Sequence, residues 1–262
     1  MKSSHFLEIS GLSMSFGGLE AVSNLNLQIS EGEIFGLIGP NGAGKSTILN
    51  MIGGTLKPTS GKILFKGQDI TGLPVHRKAM IGIGRLYQAN ILFNNFTLVE
   101  NVLVALHMKI KFNLLKVLFQ RRLLARQEKN LHERAANILE TVGLIDIKDE
   151  VAVNLPHGQQ RLLGLAIALA MEPALILLDE PVTGMAADEV EKMLDTTISL
   201  IKKFGMTCII IEHNLRAVMS VCDRVAVVNF GCKIAEEETT KIFNHPKVIE
   251  AYLGGEDQCC WE

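Results

Sequence analysis

The stretch best suited to chemistry is a glycine-rich loop, Gly39-Pro40-Asn41-Gly42-Ala43-Gly44-Lys45-Ser46-Thr47. It fits the pattern G-x-x-x-x-G-K-[ST], in which backbone N–H groups and a lysine surround nucleotide phosphates. The apolar run from Ile34 to Ile38 precedes the loop, and a second apolar run from Ile48 to Ile52 follows it. The order strand, loop, helix adds the positive end of a helix dipole to the loop. We therefore predict a nucleotide-binding site here.

Each residue type in the loop has a chemical reason to be there. The glycines let the backbone turn its N–H groups toward an anion. Lys45 is expected to reach the β- and γ-phosphates, and the Ser46 hydroxyl is expected to bind Mg²⁺. The predicted nucleotide-binding residues of the loop are Gly39, Asn41, Gly42, Ala43, Gly44, Lys45, Ser46 and Thr47.

Two adjacent carboxylates end a second apolar strand, Leu175-Ile176-Leu177-Leu178-Asp179-Glu180. Asp179 is expected to hold Mg²⁺, directly or through water. Glu180 is placed to polarise the water that attacks the γ-phosphate. An Asp-Glu pair at a strand end is often an ordinary polar terminus, but a phosphate loop earlier in the chain favours the chemical interpretation.

The elements around these motifs predict an α/β fold. Strands and helices alternate from residue 172 onward, which indicates a mostly parallel sheet with helices packed on it. The N-terminal segment shows the period-2 pattern of antiparallel strands, as in Leu25, Leu27 and Ile29. Residues 95–171 have a helical pattern, and Thr97 with Glu100 fits a capping box. We predict a helical subdomain inserted into an α/β core.

Composition narrows the function classes. The 262 residues carry a formal net charge of −2, so bulk charge gives no reason to expect a nucleic-acid partner. The longest apolar stretch, Leu162 to Leu178, is interrupted by Glu172-Pro173 and is too short to span a membrane. The N-terminus leads directly into a strand-like segment, which is not typical of a secretory signal.

Taken together, the motifs have a characteristic order: phosphate loop, Gln88, helical insert, the segment Leu155 to Gln159, the Asp179-Glu180 strand, and His213. This order and spacing resemble those of the ATP-binding subunits of ABC transporters, and the resemblance covers nearly the whole chain. It implies a single ABC ATP-binding domain over 1–262, with a P-loop NTPase core and an antiparallel β-subdomain in 1–94 and 172–254. Residues 95–171 would form the helical subdomain, and 255–262 a mobile tail.

The resemblance also implies roles for residues outside the phosphate loop. Gln88 would sense the γ-phosphate and the metal ion, and would face the membrane subunit. His213 would contact the γ-phosphate. Gly158 and Gln159, in the signature loop, would bind the ATP held by the opposite subunit. Phe16 would stack on adenine, a contact worth roughly 1–3 kcal/mol for an aromatic on a base.

One branch of the family shares further segments with this chain: Phe16-Gly17-Gly18-Leu19, Tyr87-Gln88, Gly158 to Arg161, Ile211-Glu212-His213, and the ending Val248 to Gly254. These resemble the ATPases of branched-chain (hydrophobic) amino acid importers. The resemblance implies an ATPase that uses ATP and Mg²⁺ to power import. The expected location is peripheral, on the cytoplasmic face of the cell membrane.

The same resemblance implies a set of partners. They are integral membrane permease subunits, a second ATP-binding subunit in a homo- or heterodimer and, indirectly, a periplasmic or extracellular solute-binding protein. No nucleic-acid partner is expected. The ATPase of lipopolysaccharide export is a related alternative, since it also ends in a Tyr-Leu-Gly helix.

The chain departs from the family pattern at several positions. Pro156 and His157 replace the usual Ser and first Gly of the signature, and Ile167 stands where Arg is usual. The segment Gly184-Met185-Ala186 lacks the usual polar side chain. These departures leave open a weakly hydrolysing, nucleotide-gated subunit that depends on a partner chain. A third interpretation is a soluble ABC ATPase acting on nucleic acid or ribosomes. Such proteins usually carry two nucleotide cassettes or a long coiled-coil insert, whereas this sequence has one phosphate loop and neither of these features.

The segment from His107 to Lys129 carries a local charge of +6 and several leucines. A basic amphipathic helix of this kind can lie against an acidic membrane face or partner. It can equally be a solvated helix whose apolar side packs inside the helical subdomain.

Overall fold

The computed structural model describes residues 5–86, 92–108, 121–183, 185, 187–212, 215–242 and 245–253. A four-stranded antiparallel sheet forms the N-terminal part, in the order β2-β1-β4-β5. Its strands are β1 (Leu7–Phe16), β2 (Leu19–Ile29), β4 (Ser60–Phe65) and β5 (Gln68–Asp69). The antiparallel β-subdomain predicted from the period-2 pattern is confirmed.

A six-stranded sheet forms the core, in the order β10-β9-β3-β8-β7-β6. All its neighbouring strands are parallel except β10, which pairs antiparallel with β9 at one edge. The strands are β3 (Ile34–Ile38), β6 (Ile83–Leu86), β7 (Leu175–Asp179), β8 (Thr207–Ile211), β9 (Arg224–Asn229) and β10 (Cys232–Glu238). The carboxyl ends of β3 and β7 therefore lie at the same edge of the sheet, which is where ligands of such folds bind.

Helices pack on both faces of the core sheet. They are α1 (Lys45–Gly53), α2 (Val75–Met80), α3 (Leu98–Met108), α4 (Arg121–Thr141), α5 (His157–Ala170), α6 (Ala187–Lys203), α7 (Leu215–Val221), α8 (Thr239–Ile242) and α9 (Pro246–Leu253). The helices α3, α4 and α5 pack on one another, as expected for a helical subdomain. Among the described helices, none is long and apolar enough to cross a membrane.

The core strands bury both of their faces because alternate residues point to opposite sides of the sheet. In β3, Ile34 and Ile38 join an apolar cluster that includes the helical subdomain. Phe35 and Leu37 join a second cluster that includes α1 and the antiparallel sheet. The core sheet thus lies between two apolar layers, which hold the polar strand ends in fixed positions.

The capping box predicted at Thr97 is confirmed. The Glu100 N–H donates to Thr97 Oγ1 at 3.2 Å, and the Thr97 N–H donates to Glu100 Oε2 at 2.8 Å. These reciprocal bonds satisfy two backbone donors at the start of α3.

Two elements differ from the sequence-based expectation. The sequence pattern does not indicate the edge strand β10, because this strand ends in three glutamates, Glu236 to Glu238. In the structure, Glu236 forms ion pairs with Arg224 and Lys233. The helix α2 has only six residues, too few for a recognisable helical period. The subdomain boundaries stay predictions, and the expected mobile tail at 255–262 lies outside the described residues.

Candidate nucleotide site

The phosphate loop lies between β3 and α1, as the sequence predicts. The residue preceding α1 is Gly44, in the left-handed conformation with φ of 100°, and no side chain caps the helix. An α-helix leaves its first N–H groups without partners inside the helix. At α1 those donors and the positive end of the dipole therefore remain available to an anion.

Lys45 is buried inside the loop, with 6% of the residue exposed. Its ammonium donates to the backbone oxygens of Gly39, at 2.7 Å, and Pro40, at 2.8 Å. Burial lowers the pKa of Lys45, while the nearby carboxylates of Glu180 and Asp179 act in the opposite direction. These electrostatic interactions indicate that the loop lysine and the two predicted acids belong to one site.

Two loop glycines are required by close approach of the backbone. A Cβ at Gly39, where φ is 148°, would lie 1.9 Å from the Val228 carbonyl oxygen. A Cβ at Gly44 would lie 2.4 Å from the Ala21 carbonyl oxygen. At Gly42 no atom lies within 4 Å of the added carbon. The two ends of the loop are thus locked against neighbouring backbone, whereas its middle is open.

Asp179 ends β7 at the edge where β3 leads into the loop. Its side chain is 10% exposed, and its Oδ2 accepts a hydrogen bond from Arg85 Nη2 at 2.8 Å. The Arg85 side chain is 9% exposed, so the ion pair is largely shielded from water. Arg85 Nη1 also donates to Asn50 Oδ1 on α1, at 2.7 Å. One guanidinium therefore joins β6, β7 and the helix that follows the phosphate loop.

Glu180 adopts an unusual backbone conformation, with φ of 47°. Residues other than glycine rarely occupy this region, and when they do they are often found at functional sites. Its N–H donates to the Ile211 carbonyl at 3.0 Å, and Thr183 Oγ1 donates to Glu180 Oε2 at 3.0 Å. The backbone of Glu180 is therefore held from the end of β8, and its carboxylate is held from the turn that follows β7.

The segment predicted to be a signature loop opens α5. Pro156 precedes this helix, and no side chain caps it. Pro156 and His157 are exposed, and Gly158 and Gln159 are half-buried. A Cβ at Gly158 would lie 3.6 Å from Met185 Cε. The start of α5 thus presents a second uncapped helix end, close to the turn that follows Glu180.

The remaining predicted residues divide into two groups. Phe16 ends β1 at its hairpin with β2 and is 45% exposed, so its ring is accessible to a base. Gln88 and His213 lie outside the described residues, and their predicted roles stay predictions.

Four residues near the site were not predicted. Arg85 and Thr183 contact the two acids, and Lys78 donates to the Met51 and Ile52 carbonyls at the end of α1. Burial raises the pKa of Tyr252, in α9, while the Gly39 backbone acts in the opposite direction. Arg85 had a sequence signal as a charge inside a short apolar strand, and Tyr252 lies in the family-like ending Val248 to Gly254; Lys78 and Thr183 had none.

The oxygen donors present fit a magnesium ion. The Asp179 carboxylate and the Ser46 hydroxyl are the hard oxygen ligands that Mg²⁺ prefers. Within the described residues, no group of three or more His, Cys, Asp or Glu side chains could hold a metal by itself. Magnesium in phosphate sites is commonly bound by one or two protein ligands together with phosphates and water.

Comparisons with known proteins agree with this geometry. The family model described as "ABC transporter" matches residues 22–183. The chain is 40% identical over 248 residues to the high-affinity branched-chain amino acid transport ATP-binding protein BraF of Pseudomonas aeruginosa, covering 95% of this chain and 97% of that one. It is 33% identical to the lipopolysaccharide export system ATP-binding protein LptB of Haemophilus influenzae, again with 95% and 97% coverage.

Solved structures give the same fold. The ADP conformation of MJ1267, an ATP-binding cassette of an ABC transporter, matches with a TM-score of 0.81 and 30% identity, over 96% of this chain and 100% of that one. A dimeric post-hydrolysis state of the ATP-binding cassette MJ0796, bound to ADP and Pi, matches with a TM-score of 0.74 and 26% identity, over 89% and 98%. The predicted fold class is thus confirmed, and the chain belongs to the ABC transporter family, as one of its ATP-binding ATPase subunits.

Proposed function

We propose that the chain powers import of branched-chain or other hydrophobic amino acids, at the cytoplasmic face of the cell membrane. The amino acid class comes from the 40% identity to BraF, which exceeds the 33% identity to LptB. Lipopolysaccharide-type export is therefore the less favoured hypothesis. Uptake of labelled leucine by cells lacking the chain, with and without complementation, tests the choice. Unchanged uptake would contradict amino acid import.

The observation that carries the ATPase chemistry is the position of Lys45, in the loop after β3, at the same edge of the sheet as Asp179 and Glu180 at the end of β7. We assign Lys45 to the β- and γ-phosphates, and Ser46 with Asp179 to Mg²⁺. The metal, when bound, neutralises charge on the phosphate oxygens. Glu180, held by Thr183, is assigned to accept a proton from the attacking water. Gln88 and His213 are proposed to complete the site around the γ-phosphate.

Replacing Glu180 with Gln tests this assignment. The amide keeps the shape of the side chain but is a poor proton acceptor, so we expect ATP affinity to stay near wild type. Turnover should fall by about 100-fold or more, the order of magnitude of a lost general base. Glu133→Gln is the matched control because Glu133 is a 63%-exposed side chain on α4. Full activity of Glu180→Gln would remove Glu180 from the mechanism.

We propose that two ATP-binding subunits close over two ATP molecules, each offering the start of α5 to the nucleotide of the other. The N-terminus of α5 has no side-chain cap, and Pro156 and His157 at its start are exposed, which supports this role for the half-buried Gly158 and Gln159. Light scattering on Glu180→Gln, with and without ATP and Mg²⁺, tests it. An ATP-dependent dimer supports a homodimer. A monomer that binds ATP favours the second candidate, a nucleotide-gated subunit that needs a different partner chain.

The membrane permease subunit is proposed to dock in an apolar groove of about 410 Å³ between the core and the helical subdomain. Its lining includes Val75, Leu86, Met108 and Ile167. Met108 is 67% exposed, and an apolar side chain of this size beside a groove indicates a contact surface. We expect Met108→Glu to abolish co-purification with the permease while ATP binding persists. Met219→Glu, on the exposed side of α7, is the control.

A further inference from the structure

Asp179, which the proposed function assigns to Mg²⁺, already forms an ion pair with Arg85. Arg85 Nη2 lies 2.8 Å from Asp179 Oδ2, and both side chains are about nine-tenths buried. The guanidinium is fixed at its other nitrogen by Asn50 Oδ1, at 2.7 Å. Since arginine stays charged at all accessible pH values, a permanent positive charge stands against this carboxylate.

This charge has opposite effects on the two components of the nucleotide complex. A fixed cation beside Asp179 attracts a phosphate anion and repels a divalent cation at this edge of the sheet. The pair is little screened by solvent because it is buried. A charge at Arg85 is therefore expected to strengthen the binding of nucleotide alone and to weaken the additional binding that magnesium supplies.

We propose that Arg85 is a positioning residue that acts through Asp179: it is the counter-ion of the magnesium ligand and limits how strongly ATP binding depends on Mg²⁺. The proposal rests on the proposed assignment of Asp179 to the metal. Arg85 also lines the groove between the core and the helical subdomain, so a single side chain extends from that groove to the metal ligand.

A purely structural role would give a different result. The backbones of Arg85 and Leu177 are paired in the β6–β7 ladder, and the buried ion pair adds a side-chain link between the two strands. If the guanidinium only held the strands and α1 together, its loss would weaken ATP binding equally with and without Mg²⁺. The ratio of the two dissociation constants separates these roles because a general loss of structure cancels in it.

The experiment measures the dissociation constant of ATP by titration calorimetry, once in EDTA and once in excess Mg²⁺. In Arg85→Gln we expect weaker binding in EDTA, and a ratio of the EDTA constant to the Mg²⁺ constant that rises about tenfold over wild type, since one nearby charge is removed. Arg85→Lys keeps the charge and should stay near the wild-type ratio. Arg134→Gln removes an arginine–carboxylate pair of similar length, 2.7 Å, between α4 and Glu172, and should leave the ratio unchanged.

An unchanged or lower ratio in Arg85→Gln would overturn the proposal. If that variant does not fold, as judged by thermal unfolding, Asn50→Asp replaces it. This change leaves Arg85 in place and offsets its charge, so the ratio must again rise, and an unchanged ratio overturns the proposal. A wild-type chain whose ATP affinity ignores Mg²⁺ would contradict the proposed magnesium site itself, a result distinct from failure of the Arg85 variants.

Discussion

Helices α1 and α3 begin in opposite ways, and the difference matches the phosphate-binding role proposed for α1 and the structural role of α3. At α3, Thr97 and Glu100 satisfy each other's backbone donors. At α1, the preceding residue is Gly44, and no side-chain cap is present. A helix whose own side chains satisfy its first donors has less to offer a phosphate, whereas an uncapped start keeps them available. The lack of a cap at α1 therefore fits the phosphate-binding role proposed for this helix.

Helix α5 belongs with α1 in this comparison, but it differs in its surroundings. Both helices start without a side-chain cap. The start of α1 contains the buried Lys45, whereas the start of α5 exposes Pro156 and His157. An exposed, uncapped start is suited to a nucleotide that another subunit brings.

The strongest test of the comparison is Lys45→Ala. The ammonium is the buried charge of the α1 site, and its loss removes donors that are already in position. We expect ATP hydrolysis to fall by about 100-fold or more, the order found when one preorganised donor is lost. Activity assays and nucleotide titration measure this effect. Lys57→Ala, at an exposed position, is the control, and wild-type activity in Lys45→Ala would contradict the site.

The next test sharpens the contrast between α1 and α5. Pro156→Ser gives the start of α5 a hydroxyl, which in the proposed dimer would donate a hydrogen bond to the γ-phosphate held by the other subunit. We expect turnover to rise roughly tenfold, the gain that one added hydrogen bond to a charged group can give. Steady-state ATPase rates measure it. Pro156→Ala, which removes the ring without adding a hydroxyl, should not show the gain; an equal gain there would assign the effect to backbone freedom.

A smaller effect is expected at the capped helix. Thr97→Ala removes one half of the capping box and should lower the free energy of unfolding by about 1 kcal/mol. ATP affinity should be unchanged, since α3 does not contribute to the predicted phosphate site. Denaturant unfolding and nucleotide titration measure the two quantities. Thr141→Ala, which loses only a bond to the Asn137 carbonyl within α4, should cost less.

The smallest effect concerns the other end of α1, where Lys78 donates to the Met51 and Ile52 carbonyls. Burial lowers the pKa of Lys78 from 10.5 to about 8. Between these values the unfolded chain binds more protons than the folded one, so the free energy of unfolding rises with pH. From pH 8 to 9 we expect a gain of about 1 kcal/mol or less from this group.

Comparison with Lys78→Met isolates this contribution, because that variant should lose the rise. The useful pH window ends near pH 9 because burial raises the pKa of Cys222 from 9.0 to about 12. Above pH 9 the folded chain keeps the Cys222 proton that the unfolded chain loses, so the free energy of unfolding falls with pH. Lys57→Met, at an exposed lysine, should keep the wild-type profile. An identical pH profile in Lys78→Met and wild type would contradict the shift.

The features predictable from sequence are those whose parts lie close together in the chain. The phosphate loop and the Thr97 capping box each occupy fewer than ten residues, and each has one dominant physical requirement. The Arg85–Asp179 pair joins residues 94 positions apart, and only the β6–β7 pairing brings them together. Lys78 is similar, since no local pattern indicates that a lysine will be buried under a helix end.

The two ends of the phosphate loop also determine which sequence changes the chain can tolerate. Alanine at Gly39 would force the added carbon to within 1.9 Å of the Val228 oxygen, so β9 would have to shift as well. Alanine at Gly42 meets no neighbour and carries only the cost of its φ of 80°. In a library covering every substitution, Gly39 should therefore accept none, while Gly42 accepts residues that tolerate left-handed backbone, such as asparagine. Sequence variation in this loop is therefore expected only in its middle. Gly39 and Gly44 can change only if the backbone of Val228 or Ala21, which each contacts, moves as well.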